Sequence, residues 1–402
     1  METSTPSRSR LMSIPARRSN IDANSAGSKD LSFGNTLPKT GESFFSQITG
    51  ISALRDDGSI ITAGICYFEN LPYIAVFIHN ADGELDPEHS PMFIPTTGFA
   101  RLFNLIIQPD GKPLLLFSLG DAAIAMVARF NKDGTLDTEF GVEGTSSLNI
   151  RIHAGLLPRS GLAVRHDGAI LVAHTSTQES YIHELNSNGT ATNFGKPGPV
   201  KLDGTAATSL IISSTGFVVG GDRAGQAMLL GYDASGEPDV EFGERGEKAL
   251  GQNLTVSALA LGPQGSIGVV GASRFPPDEQ NFITKLQPNG SFSQEFNNGS
   301  PKVTDDNNTG AYTSLIFQDD GKMVALARDY ARGSYVNLVR HTLGGYWDTL
   351  FGIGGVAEAY RVPQGRPLTA FVDKLEWVSG HGKLQISGDV SGGSFIGRVL
   401  SV

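Results

Sequence analysis

Cysteine is nearly absent from this chain, and long apolar runs are missing. Of 402 residues only Cys66 is a cysteine, which excludes an internal disulfide framework and a metal site built from several cysteines. No stretch of about 18 apolar residues occurs, so no helix is expected to span a membrane. The formal net charge of −10 repels phosphate, and nucleic acid is therefore not an expected partner.

The first 25 residues differ in composition from the rest. They carry four arginines against two acidic residues and few large apolar side chains. Such a segment buries too little apolar surface to offset the entropy lost on ordering. Residues 1–25 are therefore predicted to form a flexible basic tail, and residues 26–402 a folded domain. The tail has no apolar core of the kind found in a cleaved secretory signal.

Glycine, in contrast, is abundant, at 50 of 402 residues. It recurs in a pattern in which two apolar, β-prone segments flank a turn dipeptide that ends in glycine, as in Asp57-Gly58. Tight hairpins that require positive φ favour such dipeptides. Seven copies occur at a mean spacing of about 54 residues, ending at Gly58, Gly111, Gly168, Gly216, Gly265, Gly321 and Gly382.

A second motif follows each hairpin, and its fullest copy joins the turn Asp133-Gly134 to Asp137 and Phe140-Gly141. We expect Asp137 to accept backbone N–H groups within its turn. Phe140 is expected to pack between neighbouring units. A calcium loop is the rival interpretation, but it needs several alternating carboxylates, and most copies of the motif offer one.

Each unit therefore comprises four short strands, A to D, and seven such units predict an all-β, seven-bladed β-propeller of four-stranded blades. The seventh unit stops after its third strand, at Val402. Ala26–Gly34 aligns without gaps on Asp133–Gly141, and the β-prone segment Glu42–Ile48 follows it. We predict that Glu42–Ile48 completes the last blade and closes the ring, which removes two exposed sheet edges. The alternative is six full blades and a loose hairpin.

The motifs at Gln108–Lys112 and Arg129–Gly144, repeated at Asp320–Lys322 and Arg340–Gly355, resemble those of the bacterial delta-60 repeat family of β-propellers. The resemblance extends over residues 26–402, although units three to five lose the Asp at one turn or the other. It implies a propeller fold and a bacterial source, but no settled activity and no catalytic residues. The bacterial cytoplasm, or export without a cleaved signal, would both fit this chain.

The sequence contains no P-loop, HExxH or GxSxG motif, and no cofactor is predicted. The densest group of oxygen-bearing side chains lies at residues 305–310. There Asp305, Asn307 and Thr309 alternate as in a calcium loop, but further ligands are missing nearby. Asp305 is thus a weak candidate for a metal ligand, and a polar loop is the other interpretation.

Ligands are expected at the BC and DA loops, which vary in length and charge on a regular scaffold. Two BC loops combine arginine, an aromatic residue and an acid, as interface anchors do. The candidate ligand-binding residues in them are Arg274, Phe275, Asp278, Arg328, Tyr330 and Arg332.

The sequence thus favours a non-enzymatic binding protein that recognises a protein or a cell-surface glycan. The alternative is a hydrolase or lyase whose site is assembled across blades at the channel mouth. Carboxylates or histidines within hydrogen-bonding reach there would favour the enzyme.

Overall fold

The computed structural model describes residues 24–46, 48–69, 71–89, 91–96, 98, 100–120, 124–151, 161–175, 179–195, 198–273, 280–304, 310–329, 335–361, 370–390 and 393–402. These residues form seven separate four-stranded antiparallel sheets. The only helical elements among them are two single 3₁₀ turns, Pro263–Gly265 and Asn297–Gly299. None of the helical segments in this part of the chain is long and apolar enough to cross a membrane. The all-β, seven-bladed propeller is therefore confirmed.

Each blade has four strands, A to D, and the A strands of neighbouring blades pack against each other, which places them nearest the central axis. Blades 1 to 3 contain β2 (Thr49–Leu54), β3 (Ile60–Phe68), β4 (Leu71–His79), β5 (Met92–Pro95); β6 (Ala100–Ile107), β7 (Pro113–Leu119), β8 (Ile124–Arg129), β9 (Thr145–Arg151); and β10 (Leu162–Val164), β11 (Ile170–Thr175), β12 (Ser180–Leu185), β13 (Val200–Leu202).

Blades 4 to 6 contain β14 (Ala206–Ile212), β15 (Gly216–Arg223), β16 (Gln226–Asp233), β17 (Glu247–Gln252); β18 (Leu254–Leu261), β19 (Ile267–Ser273), β20 (Asn281–Leu286), β21 (Lys302–Thr304); and β22 (Ala311–Phe317), β23 (Met323–Asp329), β24 (Tyr335–His341), β25 (Val356–Arg361). Blade 7 contains β26 (Ala370–Val378), β27 (Lys383–Val390), β28 (Gly393–Leu400) and, as its outermost strand, β1 (Glu42–Ser46).

Blade 7 is thus built from both ends of the chain. Strand β1 pairs antiparallel with β28, with Glu42 opposite Gly397 and Ser46 opposite Gly393. The predicted closing strand is confirmed, although it ends at Ser46 rather than at Ile48. Completion of the blade pairs the β28 edge that would otherwise be exposed.

In blade 2 the second motif forms a compact contact that links this blade to the next. Arg129 Nε and Lys112 Nζ donate to the Asp137 carboxylate at 2.7 and 2.8 Å, and the Arg129 guanidinium lies 4.6 Å from the centroid of the Phe140 ring. Arg129 also donates to the carbonyl oxygen of Ser187 in blade 3. We call this arrangement the Arg–Asp–Phe module.

Burial opposes ionisation of Asp137, but hydrogen bonds from Lys112 and Arg129 outweigh it and lower the pKa of that carboxyl group. Asp137 also accepts the backbone N–H of Glu139, as the sequence predicts. Phe140 is fully buried. Its ring lies so close to the turn glycine of blade 3, Gly189, that a Cβ there would come within 2.8 Å of it. The prediction that this Phe packs between units is confirmed.

An apolar cluster fills each of the seven interfaces between blades. The smallest lies between blades 7 and 1, where the buried members are Phe33, Phe45, Ile60 and Ile396. The two ends of the chain meet at this interface. The described core is therefore thinnest where the ring closes.

Candidate functional site

One face of the ring carries the BC and DA connections, and the opposite face carries the AB and CD turns; we call them the BC/DA face and the AB/CD face. Of the candidate residues, Arg328 lies in β23 and is 8% exposed, so it belongs to the packed sheet rather than to an exposed loop. The other candidates lie outside the described residues, and so does the possible metal ligand: Arg274, Phe275, Asp278, Tyr330, Arg332 and Asp305.

The BC hairpin of blade 1 is the most distinctive described feature of the BC/DA face. Strands β3 and β4 pair over nine residues, from Ile60 opposite His79 to Phe68 opposite Leu71, whereas the B and C strands of the other blades pair over six to eight. Residues 66–68 and 71–73, next to the BC turn, are therefore part of the ladder. The ladder holds the end of the hairpin in a regular conformation.

Large apolar side chains are concentrated at the end of this hairpin. Tyr67, Phe68 and Leu71, together with Phe93 of the adjacent strand β5, are between 50% and 67% exposed. Tyr73 packs edge-on against Phe93, with the ring centroids 6.3 Å apart. We call these five residues the hairpin patch.

The strand register determines how the hairpin patch is oriented. Side chains opposite each other share a face of the sheet, and successive side chains alternate. Phe68 lies opposite Leu71, and Phe93 lies opposite Ala75, two residues beyond Tyr73. Phe68, Leu71, Tyr73 and Phe93 therefore share the face that is directed towards blade 7, and Tyr67 lies on the other.

Two charged residues on the channel side of β26, the innermost strand of blade 7, form contacts with other blades. They are Lys374 and Glu376. The Glu376 carboxylate accepts the backbone N–H of Leu54 in blade 1 at 3.1 and 3.2 Å. Lys374 Nζ donates to the carbonyl oxygen of Leu105 in blade 2 and lies 3.1 Å from Glu376. These charges are held in contacts that close the ring.

Two histidines and a tyrosine meet in blade 3. The rings of His174 and His183 are 5.1 Å apart, and that of Tyr181 stacks on His174 at 5.8 Å. Burial lowers the pKa of both histidines to about 4, so they are neutral near pH 7. In the part of the chain that the structure describes, no three His, Cys, Asp or Glu side chains are grouped closely enough to hold a metal ion.

Sequence analysis did not select the hairpin patch. The signal was present, because Tyr67, Phe68 and Leu71 place three large apolar side chains around a turn that ordinarily carries polar residues. The sequence instead favours the arginine-containing loops, because their composition resembles that of interface anchors.

Comparison with known proteins supports the architecture and does not assign a family. No family model and no curated protein matches the chain. Drosophila Semaphorin 2a is 9% identical over 90% of this chain and 76% of that chain, with a TM-score of 0.55. The polysaccharide lyase Uly1 is 10% identical, covering 86% and 88% of the two chains, with a TM-score of 0.47.

A third solved structure, the PQQ-bound aldose sugar dehydrogenase from Streptomyces coelicolor, is 15% identical, covers 76% of this chain and 95% of that chain, and has a TM-score of 0.43. At such identities the likeness to the semaphorin shows a shared fold alone, and the two lower TM-scores add nothing to it. Propellers serve both as interaction scaffolds and as enzymes, so the function is argued from the residues of this chain.

Proposed function

We propose that this protein is a non-enzymatic interaction scaffold that binds a protein partner through its BC/DA face, with the hairpin patch as the anchor. The observation that carries the proposal is the exposure of Tyr67, Phe68, Leu71 and Phe93 on an ordered hairpin. Contiguous apolar patches are uncommon on protein surfaces that face water, and where they occur they often mark an interaction site.

The shape of the hairpin favours tight binding. Aromatic anchors lose little side-chain entropy on binding because they have only two rotatable bonds. A nine-residue ladder also orders the backbone before a partner arrives, which reduces the cost of association. Tyr67 and Phe68 lie on opposite faces of the hairpin, so a partner that surrounds the tip contacts both.

A protein partner fits this patch better than a glycan does. Sugar hydroxyls need hydrogen-bonding groups beside an aromatic platform, since a buried hydroxyl without a partner costs binding free energy. The described side chains around the tip are mostly apolar, and Glu69 is the exposed charged residue among them. Glycan binding is therefore an alternative outcome, which the glycan array described below would detect.

Among the residues that the structure describes, no specific observation favours the sequence-based alternative, a hydrolase or lyase with a site assembled across blades. Glu376 and Lys374, the charged pair found on the channel side, are engaged with the backbone of Leu54 and Leu105. The Glu376 carboxylate and the Lys374 amine are therefore occupied by structural contacts and are not oriented towards a substrate.

We also propose that the chain is a divergent member of the delta-60 repeat propellers. The support is the Arg–Asp–Phe module, which the family-like motifs encode and which recurs in blade 6. There Arg340 Nε lies 2.9 Å from Asp348, and the guanidinium lies 4.6 Å from the centroid of Phe351. An alignment built from close homologues, in which Arg340, Asp348 and Phe351 vary independently, would count against this membership.

The binding proposal is tested with a double variant, Tyr67→Ser/Phe68→Ser. The matched control is Val142→Ser/Val240→Ser, which removes two exposed apolar side chains from the outer rim of blades 2 and 4. Protein partners are captured by crosslinking to the wild type, and their affinities for the three proteins are then measured. We expect the hairpin variant to weaken binding by about 100-fold and the control to bind as the wild type does.

Equal affinity of the hairpin variant and the wild type for every captured partner would overturn the proposal. The same three proteins are applied to a glycan array. Glycan binding that the hairpin variant loses would replace the protein partner with a carbohydrate.

A further inference from the structure

The outer rim of blade 6 carries a second apolar surface. It lies on the AB/CD face of the ring, whereas the hairpin patch lies on the BC/DA face. The CD connection of this blade exposes Leu343, Tyr346, Leu350 and Ile353, which are between 53% and 80% exposed. All four lie in the turns between β24 and β25, close together in sequence. We call them the rim patch.

The propeller fold does not require apolar side chains at these positions, as the equivalent positions of other blades show. Aligned on the FG dipeptide, the four positions are occupied in blade 2 by Lys132, Thr135, Glu139 and Val142, and in blade 4 by Ala234, Glu237, Glu241 and Glu244. Apart from Val142 and the small Ala234, these positions in the two blades carry polar or charged residues. The rim patch is specific to blade 6.

Packing within blade 6 does not account for the rim patch either. Phe351 is fully buried, and Asp348 is held by Arg340 and by Lys322, 3.1 Å away. The inward half of the motif is therefore the same as in blade 2. Compared with blade 2, the outward-facing side chains at positions 343, 346 and 350 are apolar instead of polar, whereas Ile353 stands where blade 2 already has the apolar Val142.

We propose that the rim patch is the interface of a homodimer, in which two copies of the chain meet across a two-fold axis at blade 6. The exposed surface of the four side chains is on the order of 500 Å². A stable interface buries about 800 Å² per partner, with an apolar centre and a polar border. The rim patch supplies an apolar centre of suitable size, and the surrounding turns supply the border.

The charge distribution favours a second copy. With a net charge of −10, two copies repel each other over most of their surfaces. The rim patch has no charged member, so a two-fold contact there brings no like charges together at its centre. Its border carries both signs, since Lys302 lies 4.4 Å from the centroid of the Tyr346 ring and the exposed Glu295 lies on the adjoining turn of blade 5.

A two-fold axis places the same surface on both partners, so a border of mixed sign can complement itself. The rim patch lies at CD turns, whereas the hairpin patch lies on the BC/DA face. A dimer formed through blade 6 therefore leaves the hairpin patch of each copy open. The dimer and the proposed binding function can be tested independently.

The test measures molar mass by sedimentation and by light scattering between about 1 and 100 µM. We expect the wild type to approach twice the chain mass of 42.5 kDa as concentration rises. In Leu350→Glu/Ile353→Glu each position receives the residue that blade 4 already carries there, Glu241 and Glu244, so the fold should tolerate the change. Like charges then face each other across the axis, and we expect the dimer to weaken by at least about 100-fold.

The matched control, Val142→Glu/Val240→Glu, adds the same charge to exposed rim positions of blades 2 and 4 and should keep the wild-type mass. Melting curves of both variants show whether they are folded. A wild type that stays a single chain at the highest concentration would overturn the proposal. It would also be overturned if the blade-6 variant kept the wild-type mass, or if Tyr67→Ser/Phe68→Ser dissociated the dimer.

Discussion

The guanidinium of Arg398 lies over the ring of Phe33, with its central carbon 4.5 Å from the ring centroid. The same contact joins Arg129 to Phe140 within a single blade. In blade 7 the two residues come from opposite ends of the chain, so this copy of the Arg–Asp–Phe module exists only when the ring is closed.

Further contacts of the same module extend to blade 1. Arg398 donates to the carbonyl oxygens of Ala81 and Gly58, and Lys383 Nζ lies 2.7 Å from the Asp30 carboxylate. The module therefore joins the N-terminal segment, the last blade and the first blade. It compensates for the small apolar cluster at this interface.

Two N-terminal truncations distinguish the contribution of residues 1–25 to stability from that of the closing strand β1. Deletion of residues 1–25 should leave the melting temperature and solubility nearly unchanged. Deletion of residues 1–49 removes Asp30, Phe33 and β1, exposes the edge of β28 and should lower both sharply. Similar melting curves for the two truncations would show that closure contributes little to stability.

Replacement of Arg398 by methionine tests the module directly. The buried carbonyl oxygen of Gly58 and the partly buried one of Ala81 lose their donor, and we expect the free energy of unfolding to fall by about 2–4 kcal/mol. Arg398→Lys keeps the charge but cannot reach both oxygens, so it should recover only part of the loss. Denaturant unfolding measures both. A loss below about 1 kcal/mol for Arg398→Met would contradict the role assigned to the module.

Two glycines with the same backbone conformation should respond differently to alanine. Gly83 and Gly225 have φ of 85° and 82°. At Gly83 a Cβ would lie 2.4 Å from Cζ of Phe33, whereas at Gly225 nothing lies within 4 Å. Gly225→Ala should cost about 1 kcal/mol through backbone strain, and Gly83→Ala about 1–3 kcal/mol more because buried Phe33 must move. Equal unfolding free energies would rule out the steric explanation.

Stability should fall in mild acid because buried histidines resist protonation. Burial lowers the pKa of four histidines to about 4: His79, His174, His183 and His341. The ordinary value is near 6.5, so between these values the unfolded chain binds more protons than the folded chain. The free energy of unfolding then decreases as pH falls through that window, and His79 alone accounts for about 2 kcal/mol between pH 7 and pH 5.

His79→Phe should remove its share of this acid sensitivity. Blade 2 carries Phe130 at the equivalent position, and His79 already packs against Phe45 with the ring centroids 4.5 Å apart. The control is His381→Gln, which removes a histidine from an exposed turn and leaves His79 and its buried surroundings in place. Unfolding free energies at pH 7 and pH 5 for the three proteins decide the matter. If this free energy differs between pH 7 and pH 5 by the same amount in His79→Phe as in the wild type, His79 does not contribute to the acid sensitivity.

The repeat and the closure of the ring could be read from the sequence because both depend on local turn chemistry. The alignment of Ala26–Gly34 on Asp133–Gly141 is borne out by hydrogen bonding. The N–H of Gly352, the FG glycine of blade 6, donates to the carbonyl oxygen of Ala26. The N–H of Gly141 donates in the same way to the carbonyl oxygen of the turn residue Asn188 of blade 3. A turn that needs positive φ selects glycine wherever it occurs, so its positions are visible along the chain.

The chain by itself therefore determined the number of blades and the strand that closes the last one. Only the tertiary structure decided which side chains are exposed or brought together. The meeting of His174 with His183 depends on cross-strand register, and the burial of Arg328 depends on the end point of β23. The hairpin patch exists because pairing of β3 and β4 continues to Phe68 and Leu71. Register and burial arise from contacts between distant segments, which turn chemistry does not record.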